Sequence, residues 1–77
     1  MGWVTSVERK EGAGKIQPTQ FVAFVKVISA DGGTSITQID TYGSDDRKNP
    51  GKQSQTLQFG RQSAEQLYKI LKDTYGF

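Results

Sequence analysis

The chain has 77 residues, and it contains neither cysteine nor histidine. We interpret residues 1–77 as a single domain, and a chain of this length buries only about 60% of its unfolded surface. Because disulfides and thiolate metal sites are excluded, oligomerisation is the remaining common way to add stability. Since Cys and His supply the usual nucleophile, general base and zinc ligands, we expect no enzyme, no cofactor and no metal.

The formal net charge of +2 is mildly basic and is by itself weak evidence for a nucleic-acid partner. No apolar run approaches the roughly 20 residues that a membrane-spanning helix needs. The N-terminus lacks the charged start and apolar stretch of a signal peptide. We therefore expect an intracellular protein with no membrane partner, cytoplasmic in a bacterium or either cytoplasmic or nuclear in a eukaryote.

Two strands are predicted in the first part of the chain. Residues 3–10 alternate as in a strand, residues 11–19 form a Gly- and Pro-containing loop, and residues 20–29 are the most strand-like segment. One face of the second strand carries Phe21, Ala23, Val25 and Val27, and the other carries Val22, Phe24, Lys26 and Ile28. Both faces are largely apolar, whereas a sheet with a helix on one side only should have a polar second face. We expect a partner subunit to cover the second face of this strand.

A hairpin and a more polar strand follow. Asp31-Gly32-Gly33 predicts a tight turn, and residues 34–42 form the returning third strand. Ile36, Gln38, Asp40 and Tyr42 share one face of this strand, and Ser35, Thr37, Ile39 and Thr41 share the other. With hydroxyls, an amide and an aromatic ring, the strand is suited to contact with polar ligands. Residues 43–53 form a basic loop in which Pro50-Gly51 predicts a type II turn.

A short strand over residues 54–59 leads into a C-terminal helix. Ser63 and Gln66 predict a capping box at the start of the helix, and Gly76 predicts the left-handed residue that ends it. Apolar side chains recur at helical spacing between these points, at Ala64, Leu67, Tyr68, Leu71 and Tyr75. The predicted fold class is α+β, with a four-stranded antiparallel sheet followed by one helix (ββββα).

Four short motifs follow one another in the second half of the chain: Ile39-Asp40-Thr41-Tyr42, Lys48-Asn49-Pro50-Gly51-Lys52, Thr56-Leu57-Gln58-Phe59 and Glu65-Gln66-Leu67 with Leu71. In this order they resemble the positive cofactor 4 (PC4) family of single-stranded-DNA-binding transcriptional coactivators. The chain departs from the family at Thr41, where a basic residue is usual, and in the longer loop between the first two strands. The resemblance implies a homodimer with curved sheets and paired helices, which binds single-stranded DNA and regulates transcription.

Single-strand binding requires cations for the phosphates and exposed aromatic rings on which bases stack. The candidate phosphate contacts are Lys26, Arg47, Lys48, Lys52 and Arg61, and the candidate stacking rings are Trp3 and Tyr42. Three roles stay open for Phe24: core residue, dimer interface and stacking ring. Gln38, Gln55 and Gln58 are candidates for hydrogen bonds to bases or phosphates and are equally compatible with plain exposed strand positions.

The sequence has two alternative interpretations besides single-stranded DNA or RNA binding. The chain is also compatible with a small accessory module or inhibitor, for example phage- or plasmid-encoded, that grips another protein through its sheet or through residues 45–53. An enzyme would have to use Asp40, Asp45, Asp46 or Glu65 as acid, base or metal ligand. No spaced third ligand accompanies Asp45 and Asp46, so we expect no enzymatic activity.

Overall fold

The computed structural model describes residues 1–42 and 55–77. Its elements are the strands β1 (Gly2–Val4), β2 (Ala23–Ser29), β3 (Ser35–Thr41) and β4 (Gln55–Phe59) and the helix α1 (Arg61–Tyr75). The strands form one four-stranded sheet in the order β1-β4-β3-β2. The predicted α+β class, four strands followed by one C-terminal helix, is confirmed. The turn predicted at Pro50-Gly51 lies outside the described residues.

The sheet is mixed, which corrects the prediction of a fully antiparallel sheet. β3 pairs antiparallel with both β2 and β4, but β1 pairs parallel with β4, from Gly2 opposite Leu57 to Val4 opposite Phe59. A tight turn forces two strands to be antiparallel, whereas a connection of a dozen or more residues does not. Residues 5–22 separate β1 from β2 and allow β1 to reach the far edge of the sheet. β1 is also shorter than the predicted strand over residues 3–10.

The turn between β2 and β3 confirms the predicted hairpin. Gly32 and Gly33 have φ angles of 79° and 78°, in the left-handed region that a side chain disfavours. The backbone N–H of Ala30 donates a hydrogen bond to the carbonyl oxygen of Thr34 at 2.7 Å and closes the turn. The two glycines therefore set the antiparallel pairing of β2 with β3.

The capping box predicted at Ser63 and Gln66 is wrong. The helix begins at Arg61 with Gly60 as its N-cap, so Ser63 already lies within the first turn. Its hydroxyl donates back to the carbonyl oxygen of Gly60 at 3.4 Å, and the Gln66 Oε1 accepts a hydrogen bond from the backbone N–H of Val7 at 2.7 Å. The Gln66 amide thus ties the segment after β1 to the helix instead of capping it.

The end of the helix confirms the prediction made from Gly76. This residue has a φ of 74° and a ψ of 31°, and its backbone N–H donates to the carbonyl oxygen of Lys72 at 2.7 Å. The left-handed conformation satisfies a carbonyl group that the helix itself leaves unpaired.

Apolar burial within one chain is small. Phe59 is the one buried large apolar side chain among residues 1–42 and 55–77, with 6% of its surface exposed. Phe59 is the last residue of β4, and it lines a cavity of about 400 Å³ together with Thr37, Ala64 and Tyr68. α1 contacts β3 and β4. The core therefore sits at the junction of β4 and the helix.

We expect Phe59→Ala to lower the free energy of unfolding by about 3–5 kcal/mol, because removal of a buried ring leaves a cavity. Phe77→Ala removes the same atoms from a side chain that is 72% exposed, and it should change the free energy of unfolding by less than about 0.5 kcal/mol. Urea unfolding followed by circular dichroism measures both variants. Equal losses would show that Phe59 is not the centre of the core.

Candidate functional site

Side chains alternate between two faces of the sheet. The helix face carries Phe59 and Thr37, on which α1 packs. The opposite face, which we call the polar face, is defined by Trp3, Phe24, Lys26, Gln38, Asp40, Thr56 and Gln58. It includes Gln38 and Asp40 of β3, the strand that the sequence indicates as suited to polar ligands.

Strand pairing aligns four side chains of the polar face in one row. Trp3 in β1 is paired with Gln58 in β4, Gln58 with Gln38 in β3, and Gln38 with Lys26 in β2. The row therefore crosses all four strands, over about 14 Å at the usual strand spacing. It places an aromatic ring at one edge of the sheet, a cation at the other and two amides between them.

Asp40 lies beside this row and is completely buried. Its carboxylate accepts hydrogen bonds from the Thr56 hydroxyl at 2.9 Å and from the Gln38 Nε2 at 3.0 and 3.2 Å. The Lys26 Nζ lies 3.2 Å from the Asp40 Oδ2, and the Gln58 Nε2 donates to the Gln38 Oε1 at 2.8 Å. Every buried side-chain polar atom in the described part of the chain has a hydrogen-bond partner.

Burial by itself would raise the pKa of Asp40, because it disfavours the charged carboxylate. The hydrogen bonds from Thr56, Gln38 and Lys26, together with the positive charge of Lys26, outweigh burial and lower the pKa below its ordinary value of 3.8. The carboxylate is therefore ionised at neutral pH, and an ionised carboxylate only accepts hydrogen bonds.

Aromatic rings lie at both edges of the polar face. On the β1 edge, Trp3 is 51% exposed and its ring lies against Gly60, where a Cβ atom would stand 3.1 Å from the Trp3 Cζ2. On the β2 edge, the rings of Phe24 and Tyr42 meet edge to face with centroids 5.4 Å apart. With Lys26 they line an open cavity of about 490 Å³. Phe24 is 51% exposed, so it does not belong to the core of a single chain.

The structure brings together some of the predicted site residues. Trp3 and Lys26 lie on the polar face, and Tyr42 contacts Phe24 at the β2 edge of that face. The Lys26 side chain is 54% exposed although its charge is paired with Asp40. Arg61 begins α1 and lines the cavity beside Phe59 on the helix face, away from the row. The other candidate cations, Arg47, Lys48 and Lys52, lie outside the described residues.

The sequence pattern does not identify Asp40 as the centre of a hydrogen-bond network. Strand alternation does show that Gln38 and Asp40 lie on the same face of one strand, and that Thr56 and Gln58 lie on the same face of another. This pattern was the available signal for the network. The signal was incomplete because only the strand register places Thr56 opposite Asp40. The buried carboxylate has three protein partners, and so we assign Asp40 a structural role rather than the acid or metal-ligand role weighed for it.

Within residues 1–42 and 55–77, no group of three or more acidic side chains could hold a metal ion. The same residues include no helix that is long and apolar enough to cross a membrane.

We expect the free energy of unfolding to fall as the pH drops below about 4. A group whose folded pKa is lowered contributes stability that is present above its unfolded pKa and lost as the pH falls through the folded pKa. Asp40→Asn should remove this part of the pH dependence, whereas Asp31→Asn, in the exposed turn, should retain it. Urea unfolding at pH 7 and at several values between about 2 and 5 tests this. Parallel pH profiles for wild type and Asp40→Asn would show that Asp40 is not the titrating group.

Comparison of the chain with protein-family models, with curated proteins and with solved structures found no match. The resemblance to the positive-cofactor-4 family therefore rests on the motifs between residues 39 and 72.

Proposed function

We propose that the protein binds single-stranded DNA or RNA on its polar face with little sequence preference. The observation that supports this most directly is the row formed by Trp3, Gln58, Gln38 and Lys26. Single-strand binders combine exposed rings, on which bases of any sequence stack, with cations that follow the phosphates. The row offers a half-exposed ring and a half-exposed cation on one open surface. A role in transcription regulation, with a nucleoid or nuclear location, is the proposal that follows from the family resemblance.

The phosphate contacts in this proposal come from two sources. The Lys26 ammonium group has three N–H donors, and its pairing with Asp40 leaves donors for a second partner. Arg47, Lys48 and Lys52 enter the proposal from the sequence alone. Arg61 lies on the helix face, away from the row, and is not part of this proposal.

The direct test is fluorescence anisotropy of a labelled oligothymidine of about 20 nucleotides, titrated at low and moderate salt. Trp3→Ala should weaken binding about 5- to 150-fold, because each stacked base contributes about 1–3 kcal/mol. Tyr75→Ala removes a ring that is 68% exposed on α1, and it should leave the affinity unchanged. Trp3 is the one tryptophan of the chain, so its intrinsic fluorescence should also be quenched on binding.

The salt dependence distinguishes this function from the alternative of a protein-binding module. Phosphate binding releases counterions, so the logarithm of the affinity should fall steeply and linearly with the logarithm of the salt concentration. Absence of binding at low salt would rule out the nucleic-acid function and favour a protein partner.

We further propose that a second copy of this chain covers the helix face. Val25 and Val27 of β2 are 63% and 74% exposed on that face, and Leu57 of β4 is 42% exposed. Tyr68 and Leu71 of α1 are 53% and 37% exposed. Exposed apolar side chains on neighbouring elements mark an interaction surface rather than a solvated one. The small core of the single chain gives such an interface a stabilising role.

Val27→Lys tests the dimer. The wild type at about 50 µM should have twice the 8.5 kDa mass of one chain in multi-angle light scattering or sedimentation, and the variant should have the monomer mass. Val22→Lys makes the same chemical change at a residue before β2 that is 69% exposed, and it should remain dimeric. A wild-type monomer at this concentration would contradict the proposal and assign the apolar face to a different protein.

A further inference from the structure

The two glutamine amides of the row have a determined orientation. Because the Asp40 carboxylate only accepts hydrogen bonds, Gln38 must turn its Nε2 toward it, as the distances of 3.0 and 3.2 Å show. The Gln38 Oε1 then lies on the other side of the amide and requires a donor, which the Gln58 Nε2 supplies at 2.8 Å. Asp40 thereby sets which atom each of the two amides presents along the row.

This series of hydrogen bonds ends at the Gln58 Oε1, which is a hydrogen-bond acceptor. With its Nε2 directed at Gln38, Gln58 has its Oε1 at the remaining corner of the amide, and no donor among residues 1–42 and 55–77 is bonded to it. The same amide lines a cavity of about 310 Å³ whose other walls include Trp3, Gln38 and Thr56. The cavity is thus lined by a flat aromatic side chain and by an amide whose Oε1 is not directed at Gln38, on neighbouring, paired residues.

Nucleobases present matching chemistry. A base has a planar surface that stacks on an aromatic ring, and an unpaired base also exposes the N–H groups of its Watson–Crick edge. In a duplex those N–H groups are used in base pairing and are inaccessible to a protein acceptor. An acceptor beside a stacking ring therefore favours unpaired bases and needs no particular sequence.

We propose that the cavity between Trp3 and Gln58 binds one unpaired nucleobase, which stacks on Trp3 and donates a Watson–Crick-edge N–H to the Gln58 Oε1. Asp40 acts as a positioning residue through Gln38, because it determines the direction of both amides. This inference rests on the proposed function and adds to it a base-edge contact that selects single strands. It also explains why two amides, rather than two cations, separate the ring from Lys26.

The test compares two labelled probes of about 20 nucleotides, oligothymidine and an oligomer of N3-methylthymidine, in anisotropy titrations. Methylation removes the one Watson–Crick N–H of thymine and leaves the phosphates and the planar ring in place. The wild type should bind the methylated probe about 3- to 10-fold more weakly, the effect of one neutral hydrogen bond.

Gln58→Met removes the acceptor and retains an unbranched side chain of similar length, so this variant should bind the two probes equally. Gln55→Met makes the same change on the same strand at an exposed position of the helix face, and it should discriminate between the probes as the wild type does. Circular dichroism of each variant checks that it is folded.

Different experimental results would overturn this inference and the proposed function. Equal binding of both probes by the wild type would overturn the base-edge contact and leave single-strand binding intact, as would undiminished discrimination by Gln58→Met. Binding of neither probe would overturn the proposed function and this inference with it. The wild-type comparison needs no variant, so it decides the contact even if Gln58→Met does not fold.

Discussion

A buried, ionised carboxylate organises the open side of the sheet. Asp40 has no exposed surface, and a charge removed from water must be compensated by hydrogen bonds and an opposite charge. Its partners Lys26, Gln38 and Thr56 come from β2, β3 and β4. The compensation therefore exists only when these three strands are in their observed register. A slip of one residue would turn Asp40 to the opposite face and leave its charge without partners.

The two faces of the sheet are stabilised by different forces. On the polar face, directional hydrogen bonds satisfy the side chains and specify geometry more than they add stability. On the helix face, burial of apolar surface supplies the driving force, yet within one chain it is concentrated at Phe59. Val25 and Val27 remain exposed there. This division explains why the helix face is suited to a protein surface and the polar face to a polar ligand.

Contacts within the chain hold several side chains of the polar face in defined orientations. A free glutamine side chain loses rotational freedom when it binds a ligand, which reduces the affinity that its hydrogen bond can add. Gln38 is bonded at both ends of its amide, and it holds Gln58 in turn. Trp3 is confined similarly by its contact with Gly60, where the lack of a side chain makes room for the ring. The side chains of the candidate site are thus held in place by contacts within the chain.

The sequence by itself determined the features that depend on near neighbours: the hairpin at Gly32 and Gly33, the helix end at Gly76, and the strand alternation that groups Gln38 with Asp40. Tertiary structure decided the features that join distant residues. Local patterns favoured a helix cap at Gln66, but its amide accepts a hydrogen bond from Val7, 59 positions away. The parallel pairing of β1 with β4 and the pairing of Thr56 with Asp40 likewise follow from strand register. A strand's own residues specify which side chains share a face, but its neighbour and register depend on packing of the whole chain.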